Sequence, residues 1–154
     1  AARWLANELH EDIEFLGVWD TVKTTLKGPD VNKAKSNIKK ACHAMAIDEH
    51  RVLFGLTRFK DSPQATEAWF PGSHSDVGGG YKDGRLSVSA LNWIARNAER
   101  NGLLIDWAKI PAESTFDRLY MTRHRRHGGG FWTGSLATAT ATARLSHPTP
   151  YIRL

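Results

Sequence analysis

Ile13-Glu14-Phe15-Leu16-Gly17-Val18-Trp19-Asp20-Thr21-Val22 is the stretch on which the fold turns. From Phe15 to Trp19 the run is apolar throughout apart from one glycine, and it is too short for a helix. An unbroken apolar run of this length reads as a strand buried on both faces, the kind found inside parallel sheets. Asp20 follows at once, at the strand's carboxyl end. In open α/β sheets that is where ligands and reacting groups gather. A carboxylate there either caps the next turn, which Thr21 would support, or serves chemistry.

The second informative stretch is Trp69-Phe70-Pro71-Gly72-Ser73-His74-Ser75-Asp76-Val77-Gly78-Gly79-Gly80-Tyr81. A short apolar run stops at a proline, and a histidine follows on a loop bounded by glycines. An imidazole held between rigid flanks can carry protons near neutral pH. The alternative is a tight surface turn whose histidine only caps neighbouring backbone groups. An acid after one strand and a histidine on a later loop follow the acid-then-base order of an α/β-hydrolase triad.

Outward from these stretches, residues 1–11 read as the end of a helix with Trp4, Leu5 and Leu9 on one side, as if the chain began inside a larger unit. Lys23–Val31 reads as a loop with Gly28-Pro29-Asp30 as its turn. Residues 32–46 are expected to be helical, because Ala34, Ile38, Ala41, Cys42 and Met45 recur at three- and four-residue steps behind a possible Asn32 cap. Val52-Leu53-Phe54 is a short apolar run, and Glu67–Phe70 a strand leading to His74. Ser87 is expected to cap a helix over 88–101, with Leu91, Ile94, Ala95 and Ala98 as its stripe and Asn101-Gly102 as its stop. The alanine–threonine alternation from Leu136 to Ala143 offers little side-chain area and reads as an irregular connector. His147-Pro148-Thr149-Pro150 imposes an extended path. Strands alternating with helices predict an α/β fold with a mostly parallel sheet.

With 154 residues the chain is sized for one domain, and an apolar share of 41% with six tryptophans supplies a core. No stretch has the apolar length of a membrane span, and the first residues lack a signal peptide's pattern. Cys42 is the only cysteine, so neither an internal disulfide nor a cysteine-based zinc site can form within the chain. Lysine and arginine exceed aspartate and glutamate by 21 − 16 = 5, which favours anionic surfaces in general. The clusters around Lys33, Lys35, Lys39 and Lys40 and around Arg123, Arg125 and Arg126 lack stacking aromatics, and no nucleic-acid partner is expected.

Phe15-Leu16-Gly17-Val18-Trp19-Asp20-Thr21-Val22, His43-Ala44-Met45-Ala46-Ile47-Asp48-Glu49 and the stretch from Trp69 to Tyr81 occur in that order, followed by Leu86-Ser87. Together they resemble the catalytic α/β-hydrolase domain of type VI secretion phospholipase effectors and their relatives, over about Ile13 to Trp107, with a fainter echo at Ser146-His147-Pro148. The resemblance implies a three-layer α/β-hydrolase-like fold, of which residues 1–154 would be a single partial domain, the C-terminal half. Its motif-bearing core would span 13–107, with a less regular extension over 108–154. It implies a serine ester hydrolase acting on lipids, with Asp20 as triad acid and His74 as general base. Asp76, Gly78 and Gly79 would support the site loop. Asp76 would either anchor its own loop through backbone N–H groups or add to the site's electrostatics.

The chain also departs from the family. No Gly-x-Ser-x-Gly occurs in it, and Ser73 and Ser75 sit too close to His74 to replace the elbow serine. The nucleophile is therefore expected from an upstream segment of the same domain. His50 stands where the family usually has arginine, and Asp48, Glu49 and Arg51 read as structural ion pairs at a helix end. His43 reads as a helix residue with a satisfied hydrogen bond. The expected partners are a lipid or ester substrate, a membrane surface and that upstream segment, with self-association of the isolated chain, and no cofactor or metal is implied. Two alternatives stand beside the hydrolase: a degenerate hydrolase fold acting as a binding module, and a metal-dependent hydrolase using His74, Asp76 and another of the seven histidines.

Overall fold

The computed structural model describes residues 11–23, 34–52, 55–82, 84–113 and 140–143. All but the last residue of the expected helix over 1–11, most of the Lys23–Val31 loop, the Asn32 cap and the His147–Pro150 path lie outside them. Two strands, β1 (Ile13–Trp19) and β3 (Ile38–Ala46), form the middle of the main sheet. β5 (Ala65–Phe70) lies beside β3, and β6 (Thr140–Ala143) beside β1, giving the order β5-β3-β1-β6. β1, β3 and β5 run parallel, with Leu16 opposite Ala41, Val18 opposite His43 and Ala44 opposite Ala68. β6 runs antiparallel, pairing Thr142 with Leu16. A two-stranded ribbon of β2 (Val22–Lys23) and β4 (Gly55–Leu56) stands at the carboxyl end of β1.

The parity of β1 explains its uninterrupted apolar run. Phe15 and Trp19 point to one face, where they meet Cys42, Ala44 and Ala46 of β3. Leu16 and Val18 point to the other and pack with Ile38 and Ala41. From Phe15 to Trp19 both faces are dry, so each side chain there must be apolar. A short helix, α1 (His74–Gly78), and a long one, α2 (Arg85–Arg100), follow β5. α2 lays Ala90, Ile94 and Ala98 on the Phe15–Trp19 face, with Leu103 closing the cluster. Ala90 and Ala98 let the helix come close, while Phe70 and Trp93, 5.7 Å apart between ring centroids, seal its edge. Among the described residues no helix is long and apolar enough to cross a membrane.

Over Ile38–Ala46 the helix expected at 32–46 is instead strand β3. From Ala41 to Ala46 every residue is buried, and a run in which every position is apolar or covered satisfies a helical period as well as an extended one. Length and neighbours decide between them, and β3 has a parallel partner on each side. Lys39 and Lys40 lie on this strand and reach its two neighbours. Lys39 pairs with Glu14 of β1, and Lys40 Nζ donates to Thr66 Oγ1 of β5 at 2.8 Å.

Three smaller expectations also change. Thr140–Ala143 is a strand rather than part of an irregular connector, because a ladder is held by backbone groups whatever the side-chain volume. His74 opens a helical turn rather than sitting in a loop. The helix expected over 88–101 begins at Arg85 with Gly84 as its cap, and Ser87 lies inside it, its hydroxyl donating to Gly84 O at 2.7 Å. Its end matches the expectation, with Asn101 as cap and Gly102 at φ +91°.

Candidate active site

Asp20 leaves the carboxyl end of β1 while its amide still belongs to the sheet, donating to Ala44 O at 2.6 Å. Its backbone then turns to φ +34°, a region that costs a non-glycine residue of the order of 1 kcal/mol. The turn swings the carboxylate across the end of β3. There Oδ1 accepts the Ala46 N–H at 2.8 Å and Oδ2 lies 2.8 Å from His74 Nδ1. Asp20 is buried, so these bonds replace its water.

The histidine is placed by the turn after β5. Gly72 sits at φ +101°, and a Cβ added there would come within 2.5 Å of Asp76 Cβ, so only glycine fits. Buried Asp48 clamps this glycine: its Oδ2 accepts the Gly72 N–H at 2.9 Å, and its own N–H donates to Gly72 O at 3.0 Å. Asp76 accepts both the N–H and the hydroxyl of Ser73 at Oδ2, at 2.8 and 2.9 Å. The first of these is one half of a capping box, whose other half runs from the Asp76 backbone to the Ser73 side chain, and which starts α1 at His74. Glu49 then takes the His74 N–H at 3.3 Å while holding Arg51 in a fork at 2.7 and 2.9 Å. Burial pushes the Glu49 carboxyl up, but the bonds and charge of Arg51 outweigh it and hold the group below the ordinary range.

The structure thus brings Asp20 and His74 together, and puts Asp76 behind them as the anchor of its own turn. Gly78 ends α1, and Gly79 is its left-handed C-cap at φ +81°. The Asp48–Arg51 segment follows a strand rather than ending a helix. Glu49 and Arg51 do form an ion pair, whereas Asp48 binds backbone. What sequence reasoning missed is the Ala46 amide on Asp20 and the Glu49 bond to the His74 backbone. The one sequence signal for them is the acidic pair Asp48-Glu49 just beyond the end of an apolar run.

A proton on His74 Nδ1 directed at Asp20 would leave the ring's lone pair on Nε2. A cavity of about 340 Å³, within the usual range for small-molecule sites, opens on the Asp20 side of the pair. It is lined by Asp20, Ala46, Glu49, Arg51, Leu56 and Trp69, among others; His74 does not line it. Trp69 and Ile47 stand at its rim, each 52% exposed. Cys42 takes no part. Burial pushes its thiol up to about 11, too high for a nucleophile at neutral pH. Among the described residues no group of three or more histidine, cysteine or acidic side chains could hold a metal ion.

The family model described as the T6SS phospholipase effector Tle1-like catalytic domain matches residues 2–97. No curated protein and no solved structure matches the chain. Because the family match spans well over half of the sequence and takes in both Asp20 and His74, this chain belongs to the Tle1-like phospholipase effectors of the type VI secretion system, within their catalytic domain.

Proposed function

We propose that this chain is the acid-and-base half of a serine ester hydrolase that cleaves phospholipids, on a three-layer α/β-hydrolase fold. The observation that carries the reading is the 2.8 Å bond from His74 Nδ1 to the buried Asp20 Oδ2, made at the carboxyl end of a parallel sheet. The serine comes from a Gly-x-Ser-x-Gly elbow in the segment preceding β1, since no such string occurs in these 154 residues. His74 Nε2 takes the serine proton as its oxygen bonds to the ester carbonyl carbon. The imidazolium, balanced by Asp20, then returns that proton to the departing alcohol. Water enters by the same path and releases the fatty acid. Asp76, Gly78 and Gly79 act through the turn that presents His74, and the lipid approaches over the rim formed by Trp69 and Ile47.

The test joins this chain to its preceding coding segment and measures fatty-acid release from phospholipid vesicles. Release that collapses with Asp20→Asn and with His74→Ala supports the reading. Activity that survives both substitutions refutes it. If the preceding segment holds no serine elbow, the absent nucleophile favours a second reading, a hydrolase fold kept as a lipid- or partner-binding module, which vesicle sedimentation would detect.

A further inference from the structure

Inside the sheet lies a second histidine–carboxylate pair that the proposed hydrolysis does not use. His43 sits in the middle of β3 with no exposed surface. Its Nδ1 lies 3.1 Å from Glu67 Oε1 on β5, and its Nε2 accepts the Thr21 N–H at 3.0 Å. Glu67 is held in turn by the Phe59 N–H at 2.8 Å and by Arg58 Nε at 2.9 Å. Phe59 stacks edge-on against the imidazole, 6.0 Å between centroids.

We infer that His43 is a positioning residue for the acid of the catalytic pair: Glu67 fixes its tautomer, and its bare Nε2 pins the Thr21 amide and so the aim of the Asp20 carboxylate. The argument rests on the reading of Asp20 and His74 given above, and its chemistry is simple. A backbone N–H needs an acceptor, so Nε2 must carry a lone pair, and the ring proton must sit on Nδ1. The carboxylate facing Nδ1 secures that tautomer. Thr21 is the residue after Asp20, whose φ of +34° is unfavourable and must be imposed by its neighbours. The Asp20–Thr21 junction is held at four points: Asp20 N–H on Ala44 O, Asp20 Oδ1 under Ala46 N–H, Thr21 O under Thr57 N–H, and Thr21 N–H on His43. Two are backbone to backbone, and the third joins the Asp20 carboxylate itself to a backbone amide. The fourth needs an acceptor at one spot in a buried sheet, and β3 places a polar ring there inside an otherwise apolar run.

Nuclear magnetic resonance on the protein that includes the upstream segment tests this without any turnover. In the native chain a scalar coupling across the bond between the Thr21 amide nitrogen and His43 Nε2 is expected, with His43 protonated at Nδ1. His43→Leu, which removes the acceptor, should speed Thr21 amide exchange about tenfold and broaden away the low-field Nδ1 proton of His74. His43→Gln, whose amide oxygen can reach the Nε2 position, should restore both signals. The inference is overturned by an Nε2-protonated His43 or absent coupling in the native chain. It is equally overturned by His74 and Thr21 signals that stay unchanged in the leucine variant, or by a glutamine variant that behaves like leucine. Should the leucine variant not fold, the native coupling and the glutamine variant decide. A failure here leaves the hydrolase reading standing, and a failure of hydrolysis leaves these signals unaffected.

Discussion

His74 with Asp20 and His43 with Glu67 are the same two functional groups at nearly the same separation, 2.8 and 3.1 Å. They lie in opposite settings. His43 is locked in a central strand with both ring nitrogens taken by protein, so it cannot pass a proton on without breaking a backbone bond. His74 begins a five-residue helix beyond the end of the sheet, with 19% of its side chain exposed. A carboxylate beside an imidazole therefore does not by itself mark a catalytic pair. What distinguishes the two is whether the ring stands beyond the end of the sheet or inside it.

The largest expected effect would break this contrast outright. In the protein that includes the upstream segment, Asp20→Asn or His74→Ala should lower kcat by about 10⁴-fold, since each removes a member of a unit that acts together. His43→Leu should lower it by no more than about a hundredfold, the scale of misplacing a reacting group without removing it. Phospholipid hydrolysis rates for the three variants, with KM measured separately, order the two pairs. Equal losses would mean that His43 does more than aim its neighbour.

Two substitutions sharpen the contrast on the His74 side. Gly72→Ala forces a side chain into a left-handed backbone and against Asp76, which should cost about 3 kcal/mol in urea unfolding. Asp76→Ala removes the capping box and strands the buried Ser73 hydroxyl, for about 2 kcal/mol. Asp76→Asn keeps an acceptor oxygen and should recover most of that. If Asn recovers stability but not hydrolysis, Asp76 contributes charge to the site as well as anchoring its turn.

The two pairs also differ in how far a linear reading reaches them. β1 and Asp20, β5 and the stop of α2 are written in local chemistry: an apolar run, then a polar residue, a proline or a glycine. β3 is not, because small apolar residues such as Ala41, Cys42 and Ala44 fit a helix face as well as a strand between two neighbours. His43 could be seen as satisfied but not as useful. Its partners lie 22 and 24 residues away, and only the parallel register of β1, β3 and β5 brings them together. The Ala46 amide on Asp20, 26 residues along, is hidden for the same reason. Asp20 and His74, at the end of a strand and the start of a helical turn, show in sequence, whereas the groups bonded to them across the sheet depend on strand pairing.

The smallest effect separates the supports of the two pairs by acid. Glu67, behind His43, and Glu49, behind His74, both have carboxyl groups below their ordinary value. In each, burial acts upward and is outweighed by hydrogen bonds, from Phe59, His43 and Arg58 for Glu67 and chiefly from Arg51 for Glu49. A carboxyl group that is more acidic folded than unfolded binds fewer protons in the native state. It contributes stability above its unfolded value of 4.5, and that contribution fades as pH falls through the lower folded value. Urea midpoints taken from about pH 6 down to about pH 3 should therefore decline, and Glu67→Gln should flatten part of the decline. Arg51→Met should flatten another part by releasing Glu49. The two flattenings should add, because the carboxylates bind different partners and share none of the bonds described. A double variant that flattens no more than either single one would mean that the two pairs titrate as one network, and the contrast between an aiming histidine and a reacting one would lose its energetic basis.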